Sequence, residues 1–232
     1  VIATPSDFVR GTVIDAFDRD PATVITVTHP VPDATPPSAE TIAGVLARYG
    51  VRRPYVVYPA ITHPHKGHWS LVEMLRAAGA PGHPAGDVQL VLLGGAGAHE
   101  AVVQTSIERA GVGARVVRPG RVPGTDRDAL IAGAEALVFP SEYEGFGAPL
   151  VEAMALGVPV VCSAAPAIVE VVGDAAVVVA DRGGDAWADG VATARAERAR
   201  LVALGHRRRS AFTPAVAAAA LTDAYRRAAQ SP

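Results

Sequence analysis

The feature that most constrains the fold is the alternation of short, β-branched runs with helical stretches. The predicted strands are Val1–Thr4, Val24–His29, Tyr55–Tyr58, Val88–Leu93, Ala114–Arg118, Ala136–Phe139, Val158–Cys162 and Ala175–Val179. The predicted helices are Asp7–Phe17, Ala39–Tyr49, Trp69–Ala78, Ala98–Ala110, Asp126–Ala132, Pro149–Leu156 and Ala167–Val172, followed by helices alone from about Asp185 to Gln230. Such alternation predicts an α/β fold with a doubly wound, Rossmann-like parallel sheet.

A proline-rich segment divides the chain. Four prolines lie between Pro30 and Pro37, and together they prevent regular structure there. We therefore expect residues 1–35 to be the remnant of a preceding domain and residues 36–210 to form the Rossmann-like domain. Because the chain starts at Val1 in strand-like sequence, we also expect a missing front portion.

Composition narrows the function classes. Apolar residues make up 50% of the chain, which is enough for a core and excludes a disordered protein. A net charge of −2 argues against nucleic acid as a partner. The single cysteine, Cys162, lies in an apolar run and is expected to be buried and reduced. Turn residues interrupt the longest uncharged stretch, which lies between Glu152 and Glu170, so we predict no membrane span there.

Ligands of open α/β sheets bind beyond the carboxyl ends of the strands, so the loop after Ala136–Phe139 is informative. Its glycines let the backbone approach a ligand, and the amides of Gly147 and Ala148 at a helix start predict an anion site. Glu144 and Glu152 bracket that site, with Glu152 expected in the first helical turn. Carboxylates accept hydrogen bonds from sugar hydroxyls, although acids that offset a helix dipole remain an alternative.

Two further loops lie at the same edge. Lys66, the one lysine beside 20 arginines, precedes a helix start, where a cation neutralises phosphate. We interpret the nearby His63, His65 and His68 as surface residues in preference to a zinc site. The loop at 94–100 lacks the third glycine of a dinucleotide fingerprint.

Two Asp-x-Asp strings resemble metal sites. They are Asp18–Asp20 and Asp126–Asp128. We interpret the first as a polar turn and the second as helix-capping acids, because acids commonly serve both purposes.

The segment Pro140–Met154 closely resembles the Glu-x7-Glu motif of retaining GT-B glycosyltransferases of family 4. Pro59–His68 resembles the "PHKNH" variety of that family's lysine loop, with Gly67 in place of Asn. Gly120–Val122 resembles its base-contacting turn, Ile168–Ala176 the stretch after its motif, and residues 2–29 the end of its N-terminal domain.

The resemblance implies a hexosyltransferase whose C-terminal domain binds a nucleoside-diphosphate-sugar without a metal or any other cofactor. By position, Lys66 and the Phe146, Gly147 and Ala148 backbone would hold the diphosphate, with Glu144 beside the transferred sugar. Glu152 would hold the ribose and Val122 would lie against the base. Lys66 and Glu144 are thus the expected catalytic residues, and residues 211–232 the helix that returns to the N-terminal domain.

The resemblance also sets expectations for partners. The acceptor would be a sugar or a lipid-linked glycan. The protein would be located in the cytoplasm. Peripheral attachment to the inner face of the membrane, through the missing N-terminal domain, is an open alternative. Without that domain, the chain would bind nucleotide weakly and transfer little or nothing.

One departure and two alternatives remain. Ala60 and Ile61 stand where many members carry an arginine. Either the diphosphate is held more weakly, or Arg121 or an N-terminal-domain group replaces the arginine. A non-catalytic nucleotide-sugar-binding module and a GT-B sugar-nucleotide epimerase stay open as other functions.

Overall fold

The computed structural model describes residues 1–230. Its strands are β1 (Ile2–Thr4), β2 (Val24–Thr26), β3 (Tyr55–Pro59), β4 (Gln89–Leu93), β5 (Val116–Gly120), β6 (Ala136–Phe139), β7 (Val160–Ser163) and β8 (Ala176–Val179). Its α-helices are α1 (Asp7–Phe17), α2 (Ala39–Tyr49), α3 (His68–Ala78), α4 (Glu100–Arg109), α5 (Gly124–Ala132), α6 (Ala148–Ala155), α7 (Pro166–Val172), α8 (Gly184–Ala196), α9 (Arg198–Arg208) and α10 (Pro214–Gln230).

The strands form two parallel sheets. β1 pairs with β2, and the larger sheet has the order β5-β4-β3-β6-β7-β8. The chain adds β4 and β5 on one side of β3, and then returns to place β6, β7 and β8 on the other side. The order therefore reverses between β3 and β6, and the predicted α/β parallel fold is confirmed. Loops leaving neighbouring strands at such a reversal diverge and open a crevice for ligands.

Local signals set the ends of the first two helices where the sequence predicted them. The side chains of Ser6 and Ser38 accept hydrogen bonds from backbone amides in the first turns of α1 and α2. Gly50 ends α2 in the left-handed conformation.

Strand ends differ more from the prediction. Residues 113–115 form a 3₁₀ turn instead of starting β5, and β7 starts two residues later than predicted. β2 ends at Thr26 because its partner in β1, Thr4, is the last residue of that strand. Strand ends depend on a partner elsewhere in the chain, whereas helix ends depend on local hydrogen bonds.

The C-terminal segment returns to the first sheet. The Val31 amide donates a hydrogen bond to the Phe212 carbonyl at 2.8 Å, and Arg209 forms an ion pair with Asp33. α10 contacts β1. The division into segments 1–35, 36–210 and 211–232 stays a prediction, and residues 231–232 lie outside the described part. Within residues 1–230, no helix combines the length and apolar character needed to cross a membrane.

Candidate functional site

Two neighbouring cavities lie at the carboxyl ends of the central strands. The first, of about 460 Å³, is lined by Lys66 and Glu144 and is called the lysine pocket here. The second, of about 740 Å³, is lined by Glu152 and is called the glutamate pocket. Both cavities share residues 59–61 and 148–149 as walls, so they are two parts of one cleft.

An ion pair lies in the lysine pocket. Lys66 Nζ is 2.6 Å from Glu144 Oε1, and the two side chains are only 18% and 14% exposed. The structure thus brings together two of the predicted site residues, which stand 78 positions apart in the chain. Limited access of water strengthens the attraction between the charges. The pair holds a localised cation at the reversal point of the sheet.

Hydrogen bonds fasten the lysine loop to its neighbours. The buried Tyr58 hydroxyl donates to the Lys66 carbonyl at 2.8 Å. The Glu142 amide donates to the His65 carbonyl, also at 2.8 Å. The loops after β3 and β6 are therefore connected through their backbones, and the ammonium of Lys66 is carried on a fixed main chain.

Gly67 allows these loops to lie so close together. It has a φ of +63°, and a Cβ at this position would lie 2.4 Å from the Pro140 carbonyl oxygen. No side chain fits there without moving one loop. This contact gives a physical reason for glycine at a position where the resembling motif has asparagine.

The start of α6 lies against the lysine pocket. Gly147 precedes the helix with a φ of +86°, and Ala148 is the first helical residue. Amides at a helix start lack carbonyl partners in the helix and carry its positive dipole end. Phe146 is 3% exposed, and its ring packs against His29 at 5.4 Å and Phe212 at 5.3 Å. The structure therefore places the predicted anion-binding backbone beside Lys66.

The glutamate pocket holds the second acid. Glu152 lies in the second turn of α6, not in the first as expected, because the helix begins at Ala148. Burial raises the pKa of Glu152, and the positive charge of Arg127 opposes that effect. Arg127 Nη1 lies 3.6 Å from Glu152 Oε2. Val122 and Arg121 line the same cavity. Arg121 therefore lies in the glutamate pocket. Its substitution for the arginine that is missing before Lys66 stays a prediction.

The second Asp-x-Asp string does not cap a helix. Asp126 accepts hydrogen bonds from Arg48 and the Tyr49 hydroxyl, both at 2.7 Å, and so ties α5 to α2. Asp128 instead contacts Arg127 at 3.0 Å. The capping interpretation was wrong because α5 begins at Gly124, without a side-chain cap among residues 1–230.

The first Asp-x-Asp string behaves as a turn, as predicted. Asp18 ends α1 with a φ of +46°, and Asp20 accepts a hydrogen bond from the Ala22 amide. Across the described residues, no group of three or more His, Cys, Asp and Glu side chains is placed to hold a metal ion.

The three loop histidines do not behave alike. His63 and His65 stack on each other with ring centroids 5.9 Å apart. His68 is buried, 3% exposed, and packs against the Tyr58 ring at 4.9 Å, so its interpretation as a surface residue was wrong. Burial lowers the pKa of His68 to about 4, which makes it a neutral packing residue behind the lysine loop. His68 is the first residue of α3 and belongs to the buried side of that helix.

Sequence reasoning missed three residues of the cleft region. Arg127 lies next to Glu152, His29 lines the lysine pocket, and Tyr58 anchors the Lys66 backbone. A signal was available for Tyr58, because a polar hydroxyl at the end of a strongly apolar strand needs a hydrogen-bond partner. Arg127 and His29 carry no such local signal.

Known proteins resemble the chain in sequence. Residues 50–210 match the family described as "Glycosyl transferases group 1". The O-antigen chain mannosyltransferase B of Escherichia coli is 34% identical over 180 residues, which are 77% of this chain and 47% of that protein. The MMP α-(1→4)-mannosyltransferase of Mycolicibacterium hassiacum is 60% identical over 45 residues, or 19% of this chain and 11% of that protein. The chain thus spans about half of its longer match.

Solved structures resemble it in fold. A glycosyltransferase from Rickettsia africae superimposes with a TM-score of 0.86 at 18% identity, over 99% of this chain and 64% of that one. Anabaena Alr3699/HepE, solved in complex with UDP-glucose, gives a TM-score of 0.83 at 19% identity, over 100% and 64% of the two chains. These likenesses confirm the predicted fold as one of the GT-B type.

Proposed function

This chain belongs to the glycosyl transferases group 1 family, and we propose that it is the donor-binding half of a retaining, metal-independent glycosyltransferase of family 4. The enzyme moves a hexose from a nucleoside-diphosphate-sugar to an acceptor. One observation carries the proposal: a single cleft holds the Lys66–Glu144 ion pair in one pocket and Glu152 in the next. This arrangement suits a ligand with a dianionic centre between two sugars.

Each part of the donor has complementary groups in the cleft. Lys66 and the amides of Gly147 and Ala148 attract the diphosphate through charge and the helix dipole. In the neighbouring pocket, Glu152 accepts hydrogen bonds from the ribose hydroxyls, and Val122 gives the base an apolar wall. Glu144 faces the transferred hexose, whose hydroxyls are donors for its carboxylate.

The proposed reaction follows from the charge that develops. The bond between the anomeric carbon and the diphosphate oxygen breaks, and the departing diphosphate gains negative charge that Lys66 stabilises. The acceptor oxygen forms its bond to the anomeric carbon on the same face. Its proton passes to the leaving phosphate oxygen. The Glu144 carboxylate needs only to position the sugar by accepting hydrogen bonds from its hydroxyls. No covalent intermediate on the protein is therefore required.

In the free protein, Lys66 and Glu144 neutralise each other's charge. Before the donor arrives, Glu144 is the counter-ion that keeps Lys66 in the cleft. When a diphosphate binds, Lys66 exchanges one anionic partner for another, and Glu144 becomes available to the sugar hydroxyls. In the free protein, the pairing with Glu144 therefore offsets the cost of desolvating the Lys66 ammonium.

Donor and acceptor are proposed from the relatives. Both curated relatives are named mannosyltransferases, and the Anabaena protein was solved with UDP-glucose. The donors to test first are therefore GDP-mannose and UDP-glucose. We propose an acceptor sugar or lipid-linked glycan, a cytoplasmic site of reaction, and a need for the rest of the N-terminal domain for transfer.

The binding test is a calorimetric titration of the chain with UDP, GDP and ADP. At least one should bind, and Glu152→Ala should weaken it by about 1–3 kcal/mol through lost hydrogen bonds to a charged group. The matched control is Glu142→Ala, because Glu142 pairs with Arg182 outside the cleft. Absence of binding for all three nucleotides, or equal losses for the two variants, would contradict the proposal.

The activity test uses the full-length protein with donor and acceptor. Transfer with retained anomeric configuration is the expected result. Tight nucleotide binding without transfer would instead favour the non-catalytic module, and isomerised donor in the absence of acceptor would favour the epimerase.

A further inference from the structure

Arg127 lies between two carboxylates at the edge of the glutamate pocket. Its Nε and Nη2 donate to Asp128 Oδ1 at 3.1 and 3.0 Å, while Nη1 lies 3.6 Å from Glu152 Oε2. The planar guanidinium is therefore held on one side by Asp128 and presents its other side to Glu152. Arg127 itself is 39% exposed, so it lines the cavity and is not part of the core.

Glu152 needs such a neighbour to remain a good acceptor. Its side chain is 26% exposed, and both burial and the negative charge of Asp128 raise its pKa. Arg127 acts in the opposite direction. Two further charged residues line these cavities: Arg121 lines the same cavity as Glu152, and Asp33 lines the adjoining one. Arg127 is the cation that forms an ion pair with Glu152 in the described structure.

We propose that Arg127, braced by Asp128, is a positioning residue that keeps Glu152 ionised and oriented toward the ribose of the donor. The inference rests on the proposed function. It also gives Asp128, the second acid of an Asp-x-Asp string, a role other than metal binding or capping. Arg127 acts through Glu152 and does not contact the reacting atoms.

A direct role for Arg127 on the phosphates makes a different prediction. Lys66 lies in the neighbouring pocket, and Ala60 and Ile61 occupy the positions of the missing arginine. If Arg127 replaced that arginine, its loss would weaken diphosphate binding and leave the nucleoside unaffected. If it acts through Glu152, its loss weakens both ligands alike, because both carry the ribose.

The experiment compares Arg127→Gln, Arg127→Lys and the unmodified chain. The probes are the best-binding of UDP, GDP and ADP and its free nucleoside, titrated from about pH 4.5 to about pH 8, so that the range begins near the ordinary pKa of a glutamate. The control is Arg182→Gln, which removes an arginine paired with Glu142 outside the cleft. Thermal melting of each variant establishes that it is folded.

The expected result is a pH-dependent loss in Arg127→Gln. Loss of the cation raises the pKa of Glu152 further, so affinity should fall by up to about tenfold for each pH unit below that pKa. The fall should begin at higher pH than in the unmodified chain. The ratio of variant to unmodified affinity at each pH should be equal for both probes, because titration of the nucleotide's own phosphate cancels in that ratio. Arg127→Lys should restore most of the affinity, and the control should match the unmodified chain.

Two outcomes would overturn the inference. A loss of affinity confined to the nucleoside diphosphate would make Arg127 a phosphate ligand. A loss of affinity that does not depend on pH, or no loss at all, would show that Arg127 does not act through Glu152. Both outcomes leave nucleotide binding by the unmodified chain intact. If the unmodified chain binds none of the three nucleotides, the proposed function itself fails, and the two failures are thereby distinguished.

Discussion

Replacement of Gly67 by alanine tests whether the close approach of two loops builds the lysine pocket. At 2.4 Å from the Pro140 oxygen, an added Cβ would be about 1 Å closer than an ordinary contact, which starts at 3.4 Å. Since the contact is with backbone, one loop must move by about that distance. The movement would stretch the hydrogen bond from Glu142 to His65 and shift Lys66 away from Glu144.

The expected loss in the free energy of unfolding has two parts. A left-handed alanine costs about 1–2 kcal/mol at any such position. The loop movement adds the loss of about one hydrogen bond, roughly 1 kcal/mol. We therefore expect Gly67→Ala to lower the free energy of unfolding by about 2–3 kcal/mol. A misplacement of about 1 Å can reduce a transfer rate by up to about 100-fold.

Gly50→Ala is the matched control. Gly50 has a φ of +66°, and a Cβ there would meet no atom within 4 Å among residues 1–230. It carries the same backbone strain without the collision, so we expect a loss of about 1–2 kcal/mol and unchanged nucleotide affinity. Urea unfolding and calorimetric titration of both variants provide the measurements. Equal stabilities and equal affinities in the two variants would refute the reasoning.

Three further predictions concern the same region. Lys66→Ala should weaken nucleoside diphosphate binding and barely change binding of the free nucleoside, so equal losses in calorimetry would disprove a phosphate role. Tyr58→Phe leaves the Lys66 carbonyl without its 2.8 Å donor and should cost about 1–3 kcal/mol in urea unfolding, whereas an unchanged midpoint would show that water replaces the hydroxyl. For His68, the folded pKa of about 4 lies below the ordinary 6.5, so the unfolded chain binds the proton more tightly. The contribution of His68 to the free energy of unfolding is therefore fully present above pH 6.5. About 3 kcal/mol of it is lost as the pH falls toward 4. His68→Phe should flatten that part of the stability profile, and an unchanged slope would assign it to other groups.

The fold class was within reach of the sequence because its signals are local. Apolar β-branched runs and helix-forming stretches alternate along the chain, and serine caps fix the starts of α1 and α2. The ends of β2, β5 and β7 were predicted less well, since a strand ends where its partner does.

The candidate site was within reach only in part. The loop glycines, Glu144 and Lys66 stand in loops after strands that the sequence locates, and Glu152 stands on the helix that follows one of these loops. The structure gathers them into one cleft. Their roles toward a ligand stay predictions. The interpretations of His68 and Asp126 were wrong because burial and long-range partners, not local sequence, determine the environments of these residues.

By itself, the sequence determined the alternation of elements and the spacing of Glu144 and Glu152 on one loop and helix. Only the tertiary structure decided that β3 and β6 are neighbours, which brings Lys66 within 2.6 Å of Glu144. It also placed Arg127 beside Glu152. The reason is that periodicity tells which face of an element is buried, whereas the choice of its neighbour depends on the packing of the whole chain.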